Sequence, residues 1–184
     1  MPKLIGSSAP ATSARRARSR RLLRLALGVM GLWAILPTVV GHRVVVINTS
    51  PSVAPGLYLR SASEPAVGRI IDFRIPDFAR PYVQERTGNN GENWYILKPI
   101  AAGPGDRVDT TGEWLVIDGH KMARMPPPTD SNGRPLPVWR QSRVLGADEF
   151  FVFSDRIPNS FDSRCYGPIR RQFIETVRRA LLTW

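Results

Sequence analysis

The chain has 184 residues, of which 42% are hydrophobic and 22% charged, and this globular composition excludes wholesale disorder. Its net charge is +11, but residues 1–24 hold seven basic side chains and no acid, whereas the other 160 residues carry 19 basic and 15 acidic side chains. Because the excess lies mostly in one terminal tail, the charge disfavours a nucleic-acid-binding protein, and we expect no nucleic acid among its partners. The single cysteine, Cys165, excludes an intrachain disulfide and a multi-cysteine metal site.

An apolar segment follows the basic tail. Residues 25–41 contain no charge. As a helix they would rise about 26 Å, slightly less than the thickness of a hydrocarbon core, and the two leucines just upstream extend the span. Arginines on one side and a nearly neutral chain on the other fit the positive-inside rule. The pattern predicts a basic cytoplasmic tail at 1–21, a transmembrane anchor at 22–41 and an exported domain at 42–184.

Two alternatives to an anchor remain. A cleaved signal peptide with a long arginine-rich start is one, with Gly41 as the small residue at the cut, although no Ala-x-Ala precedes it. A buried core helix is the other, and the flanking charge disfavours it. Export follows from both the anchor and the signal peptide.

From His42 onward, β-branched and aromatic runs alternate with Gly, Pro and Asn, which is typical of short strands. Ile70–Ile75 alternates, which predicts Ile71, Phe73 and Ile75 on one face of a strand and Asp72 and Arg74 on the other. Asp118-Gly119 is a hairpin signal, and the proline-rich residues 126–137 form a loop. The predicted strands are His42–Ile47, Ile70–Ile75, Asn93–Ile100, Glu113–Asp118 and Glu149–Phe153.

Strands at this spacing, without long helical patterns between them, predict an all-β fold, a small barrel or sandwich. The tail Phe173–Trp184 suits either a helix or a strand. Trp139 and Trp184 could reach a membrane interface, but core packing is favoured for both.

The sequence gives no support for metal, nucleotide or Ser-His-Asp chemistry. Its two histidines, His42 and His120, lack metal-ligand spacing, and no phosphate-binding glycine loop or Gly-x-Ser-x-Gly motif is present. We therefore expect no cofactor and no metal.

A lysine and a serine turn are the remaining candidates. On a strand, Lys98 shares a face with Trp94 and Ile96, and burial there would lower its pKa, as a lysine general base requires. Ser52 lies in a Ser-x-Ser-x-x-Pro-Gly turn after a strand, and a serine beside a neutral lysine forms a Ser-Lys dyad. Ser50 could stabilise an oxyanion. Taken separately, an edge lysine and an ordinary Ser/Pro/Gly turn explain the same residues.

Three polar segments together resemble the boxes of the type I signal peptidase family (peptidase S26), which are membrane-anchored Ser-Lys proteases. Ser50-Pro51-Ser52-Val53-Ala54-Pro55 is similar to the nucleophile box, and Leu97-Lys98 with Gly103-Pro104-Gly105-Asp106-Arg107-Val108 is similar to the base-lysine box. Asn159-Ser160-Phe161-Asp162-Ser163-Arg164 with Gly167 is similar to the third box. Within the family, Pro55-Gly56-Leu57-Tyr58 and Asn48-x-Ser50 are most similar to the TraF-type conjugal-transfer peptidases.

The resemblance implies a β domain of the Ser-Lys signal peptidase kind behind one transmembrane helix. It implies Ser52 as nucleophile, Lys98 as general base, and an oxyanion hole from Ser50 and the Ser52 N–H. As supporting residues it implies Ser160, which would orient the Lys98 amine, the ion pair of Asp162 and Arg164, and Asp155. The sequence departs from the usual family pattern at three positions: Val53 replaces a methionine, Pro99 an arginine and Cys165 an aromatic residue. These departures concern the shape of the substrate pocket and not the Ser-Lys dyad.

By the same resemblance, the catalytic domain lies on the periplasmic side of a bacterial inner membrane, and the partners are the lipid bilayer and a membrane-tethered precursor, a pilin-like subunit of a conjugative transfer system. A general type I signal peptidase is the first alternative. A silent membrane-bound scaffold is disfavoured by the intact Ser52 and Lys98. A soluble self-cleaving repressor-type protein is disfavoured by the anchor and the third box.

Overall fold

The computed structural model describes Arg24, Leu25, Gly28 and residues 44–87, 95–130 and 132–184. The chain divides into two units, residues 1–44 and 45–184. In the first unit Arg24, Leu25 and Gly28 are helical, and the predicted tail at 1–21 and the rest of the predicted anchor lie outside the described residues. Among the residues that are described, no helix has the length and apolar character needed to cross a membrane.

The second unit is built mainly from strands, all paired antiparallel in the part that the structure describes. A seven-stranded sheet has the order β1-β2-β11-β3-β4-β9-β10, and a four-stranded sheet has the order β7-β6-β5-β8. The strands are β1 Val45–Asn48, β2 Gly56–Ser61, β3 Ile70–Arg74, β4 Tyr95–Ala102, β5 Arg107–Asp109, β6 Trp114–Ile117, β7 His120–Arg124, β8 Ser142–Val144, β9 Glu149–Val152, β10 Ile169–Arg170 and β11 Ile174–Thr183.

Short helical segments interrupt the strands. Helix α1 spans Arg80–Thr87, directly after a 3₁₀ turn at Asp77–Ala79. Helix α2 spans Ser163–Tyr166, and a second 3₁₀ turn at Arg171–Phe173 leads into β11. Pro81 fits the first turn of α1 because the N–H that proline lacks has no partner within a helix there. The fold is therefore mostly β, as expected, with a helix that the strand pattern did not predict.

Two hydrophobic cores hold this unit together. One face of the large sheet, α1 and α2 enclose the first core, which includes Ile71, Phe73, Val83, Tyr166 and Val177. The second core joins the small sheet to β9 and the end of β4, through residues such as Val108, Leu115 and Phe151. The turn that carries Ser52, residues 49–55 between β1 and β2, and Lys98 on β4 are both attached to the large sheet, so the first core is the support of the candidate site.

The hairpin signal is confirmed. Asp118 and Gly119 connect β6 to β7, with φ of 48° and 81°, and Ile117 pairs with His120 across the turn. A turn with both central residues in the left-handed region matches the twist of the flanking strands. The five predicted strands correspond to β1, β3, β4, β6 and β9, and the ambiguous C-terminal tail is the strand β11.

Asp72 lies on the face of β3 away from the first core, as the alternation predicts, and it is 1% exposed there. Its carboxylate accepts a 2.9 Å hydrogen bond from Arg178 Nε and another from the Thr176 N–H. Burial of an acid is tolerable only with such partners. Trp139 is half-buried against Phe151, as expected, but Trp184 is 67% exposed at the end of the chain.

Candidate active site

Asn48, the last residue of β1, organises the turn that carries Ser52. Its side-chain amide donates hydrogen bonds to the carbonyls of Ser50, Val53 and Ala54 at 3.0, 2.9 and 3.2 Å. Its side-chain oxygen accepts the Ser50 N–H at 3.1 Å. One buried side chain thus replaces the backbone partners that residues 49–54 lack outside a regular strand.

The turn is also held from the loop after β9. Ser154 Oγ donates to the Ser52 carbonyl at 2.5 Å, and Arg156 Nε donates to the Pro51 carbonyl at 3.2 Å. Ser52 is 4% exposed, and its hydroxyl lies 3.1 Å from the hydroxyl of Ser50. The candidate nucleophile is therefore fixed through its own backbone, while its hydroxyl contacts the candidate oxyanion donor.

Glycine is required where the turn enters β2. A Cβ atom on Gly56 would lie 2.2 Å from the carbonyl oxygen of Leu182 on β11, far inside contact distance. The Trp184 N–H donates to the Pro55 carbonyl at 3.1 Å in the same place. The nucleophile turn is thus clamped against the last strand of the chain.

Lys98 lies on the core face of β4, opposite Ile71 of β3. It is 3% exposed, and its amine donates a 2.8 Å hydrogen bond to Ser160 Oγ. Burial lowers the pKa of Lys98 from 10.5 to about 8, because water no longer solvates the ammonium form, while Asp162 raises it and Arg164 lowers it. An amine with this pKa is neutral in a substantial fraction of molecules at mildly alkaline pH.

The Asp162–Arg164 pair supports the segment that carries Ser160. Arg164 Nε and Nη2 each donate to the Asp162 carboxylate at 2.9 Å, and Arg164 Nη1 donates to the Arg124 carbonyl at 2.9 Å. The Asp162 side chain also caps α2 by accepting the Arg164 N–H. Because both charges are buried and paired, their opposing effects on the nearby amine largely offset each other.

Gly167 ends α2 with φ of 76°, a conformation that side chains disfavour. A Cβ atom there would lie 2.8 Å from the Trp139 ring. The glycine at this position of the third box thus allows the close approach of an aromatic wall.

A cleft of about 420 Å³ contains Ser50, Ser52 and Lys98 in its lining, together with β1, β4 and α1 residues. Ser160, Asp162 and Arg164 lie behind Lys98 through the hydrogen bonds described above. Asp155 does not lie in this cleft: it is exposed and lines a separate cavity of about 460 Å³ with Pro158 and Asn159. No group of three His, Cys, Asp or Glu side chains that could hold a metal occurs among the described residues.

The anchoring roles of Asn48 and Ser154 were not predicted. Asn48 stood in the Asn-x-Ser run and Ser154 began the third polar segment, so both were visible as polar residues. Only the folded turn reveals that their side chains hold the backbone around Ser52.

A mostly β domain with a serine turn and a buried lysine beside one cleft has the features of a peptidase. The family model for signal peptidases, peptidase S26, matches residues 19–183, and the chain belongs to this family. It is therefore a serine-type peptidase of the type I signal peptidase kind, and the family prediction from the three boxes is confirmed.

Among its relatives are two Escherichia coli proteins, each called plasmid transfer protein TraF. One is 32% identical over 178 residues, covering 90% of this chain and 99% of the relative. The other is 32% identical over 149 residues, covering 75% and 82%. A crystal structure of a signal peptidase I from Enterococcus faecalis V583 overlaps 64% of this chain and 98% of its own, with 19% identity and a TM-score of 0.38.

Proposed function

We propose that this protein is a membrane-anchored Ser-Lys endopeptidase that processes exported precursor proteins. The observation that carries the proposal is the environment of Lys98: a buried amine with a pKa of about 8, held by Ser160, lines the same cleft as Ser52. A lysine general base needs a lowered pKa and a fixed position, and this site supplies both.

In the proposed mechanism, the neutral amine of Lys98 takes the proton of the Ser52 hydroxyl as its oxygen attacks the scissile carbonyl. The resulting ammonium then gives that proton to the departing amine, leaving an acyl group on Ser52. Ser160 keeps the amine aimed into the cleft through the 2.8 Å hydrogen bond. Water attacks the acyl group in a second round of the same proton transfers.

The proposed oxyanion donors are the Ser50 hydroxyl and the Ser52 N–H. Ser50 Oγ lies 3.1 Å from Ser52 Oγ, so it is beside the oxygen that attacks and can turn its proton to the developing charge. Donors already fixed by the surrounding turn need no reorganisation during the reaction, which is why they stabilise a transition state effectively. Asn48 and Ser154 provide that fixation here.

We propose a pilin-like subunit of a conjugative transfer system as the substrate. Support comes from the two relatives named plasmid transfer protein TraF, one of which this chain matches over nearly its full length. The description of the matching family as signal peptidase favours the alternative, removal of signal peptides from many preproteins.

We further propose that the domain works at the outer surface of a bacterial inner membrane, anchored by residues 22–41. Support comes from an apolar row across three strands, in which Ile47 pairs with Leu57 and Leu57 with Leu182. Ile47 is 65% and Leu182 58% exposed, and Trp184 nearby is 67% exposed. Such a row suits contact with lipid better than with water. Alkaline extraction of membranes tests the anchor, because an anchored chain stays in the pellet.

The deciding experiment is mass spectrometry of candidate pilin precursors co-expressed in membranes with the wild-type chain or with S52A. We expect a shortened product with the wild type alone. A product one water lighter than its linear form would mean that the precursor's own amino group, rather than water, attacked the acyl group.

Two other outcomes would change the conclusion. Cleavage of ordinary preproteins but of no pilin precursor, together with replacement of a cell's essential leader peptidase, would establish the general signal peptidase. Identical products from wild type and S52A would refute the proposed peptidase and favour a silent scaffold.

A further inference from the structure

Part of the cleft lining comes from helix α1, which contains neither Ser52 nor Lys98. Tyr82 and Val83 of α1 line the same 420 Å³ cleft as Ser52 and Lys98. Val83 is 7% exposed and belongs to the first core, whereas Tyr82 is half-buried at its edge. The helix is therefore held by Val83, and Tyr82 faces the space in which a substrate would lie.

Tyr82 is held in place by an aromatic stack. Its ring lies 4.9 Å from that of Phe161, at an interplanar angle of 25°, and Phe161 meets Tyr166 edge-on at 5.2 Å. Stacked rings in this distance range attract each other beyond their buried area. The stack places a flat, wide side chain in the cleft wall and restricts its movement into or out of the cleft.

A second contact holds α1 from the outside. Glu85 lies 3.7 Å from the guanidinium of Arg134, which belongs to the proline-rich segment after β7. Arg134 is itself paired with Asp130 at 3.0 Å. The helix therefore contacts both the first core and this segment, and the core contact of Val83 is the stronger one, because the ion pair is largely exposed.

The chemistry of the cleft indicates what it accepts. Among its described lining residues, apart from Lys98 and two tyrosines, the side chains are aliphatic, aromatic, hydroxyl or amide groups, and no carboxylate or guanidinium is present. Uncharged, apolar substrate side chains are the ones that such a surface desolvates at least cost. Because these substrate side chains are all uncharged, the cleft distinguishes among them by size rather than by charge.

We infer that Tyr82 is a specificity-determining residue, whose stacked ring limits the size of the apolar substrate side chain that the cleft accepts at the position facing α1. The inference rests on the proposed peptidase function and adds to it the residue that selects the substrate. Phe161 is a poorer choice for this role, because it follows Ser160 directly and a change there would also move the Lys98 hydrogen bond. Tyr82 lies on a different element, helix α1, and is not adjacent in the chain to Lys98 or Ser160.

The test uses the full chain in detergent and a panel of acetyl-tripeptide p-nitrophenyl esters, with Ala, Leu or Phe at each position. Ser52 Oγ attacks the ester carbonyl, nitrophenolate leaves and is measured, and water releases the peptide acid. We expect wild type to prefer Ala to Phe at one position, and Y82A to reduce that preference, taken as the ratio of kcat/KM for the two esters, about tenfold or more. Y82W should strengthen the preference, so a poorly folded Y82A would not leave the inference untested.

Two control variants separate the ring from other effects. Y82F keeps the stack and removes the hydroxyl, and should keep the wild-type size preference. F78A removes a 65% exposed ring from the neighbouring 3₁₀ turn, outside the cleft lining, and should also behave as wild type.

The experiment separates failure of the proposed function from failure of the role of Tyr82. Esterolysis by wild type no faster than by S52A would overturn the proposed function and the inference with it. Activity that depends on Ser52, combined with unchanged size preferences at every position in both Y82A and Y82W, would overturn the role of Tyr82 alone. Loss of the preference in Y82F as well would assign it to the hydroxyl and overturn the size argument.

Discussion

Replacing Lys98 with methionine should stabilise the fold at neutral pH, because the wild-type chain must bury a cation. Lys98 is 3% exposed, and its pKa is lowered from 10.5 to about 8. A shift of this size corresponds to about 3 kcal/mol of lost stability at pH values below 8. Methionine has a similar length and no charge, but it leaves the Ser160 hydroxyl without the amine, at a cost of about 1 kcal/mol. We expect a net increase of about 2 kcal/mol in the free energy of unfolding at pH 7.

The sign of the pH dependence follows from the protons bound in each state. Between pH 8 and 10.5 the unfolded lysine holds a proton that the folded lysine has lost, so wild-type stability rises with pH over this interval. The advantage of K98M should therefore be nearly constant below pH 8, shrink above it and vanish near about pH 10. Well above pH 10.5, where the lysine is neutral in both states, K98M should be about 1 kcal/mol less stable than wild type, because only the lost Ser160 hydrogen bond remains.

Urea unfolding of the full chain in detergent, at several pH values, measures this difference. K121M is the matched control, because Lys121 is exposed on β7 and its removal eliminates a lysine without relieving burial. Equal stability of K98M and wild type at pH 7, or an advantage that stays constant up to pH 10.5, would refute the reasoning.

Three further outcomes are expected. Peptidase activity of the full chain should rise through an apparent pKa near 8 as the Lys98 amine becomes neutral, and a flat profile from neutral to alkaline pH would exclude it as the base. S50A should lower kcat by about 10²–10³ in the ester assay through loss of an oxyanion donor, and an unchanged rate would remove Ser50 from the site. D162A should lower the free energy of unfolding, measured in urea, by about 3–5 kcal/mol, because it leaves Arg164 buried without its partner. D155A, at an exposed position, should lower it by less than about 0.5 kcal/mol. A larger loss in D155A than in D162A would contradict the structure.

Local patterns in the sequence correctly predicted those elements whose structure depends on residues close together in the chain. The alternation in Ile70–Ile75 predicted β3 and its core face, and Asp118-Gly119 predicted a hairpin, since a two-residue turn depends on its own backbone preferences. Membership of the signal peptidase family was likewise predicted correctly from three short polar segments and their order along the chain.

The same local patterns could not predict contacts between residues that are far apart in the chain. The alternation assigned Asp72 to a face but could not predict its burial, because its partner Arg178 is 106 residues away. Helix α1 has only eight residues and no clear apolar stripe, so nothing in its sequence indicated a wall of the cleft. The roles of Ser52 and Lys98 remain predictions, although the fold places both at one cleft.

The position of β11 has a consequence for how the candidate site is held together. This strand lies between β2 and β3, and among the described strands the β1-β2 ribbon with Ser52 pairs with the rest of the large sheet only through it. Lys98 lies on β4, beyond β3, so two intervening strands connect the ribbon to the strand of Lys98. A substitution that weakens the pairing of β11 on either edge can therefore separate Ser52 from Lys98 without touching the cleft.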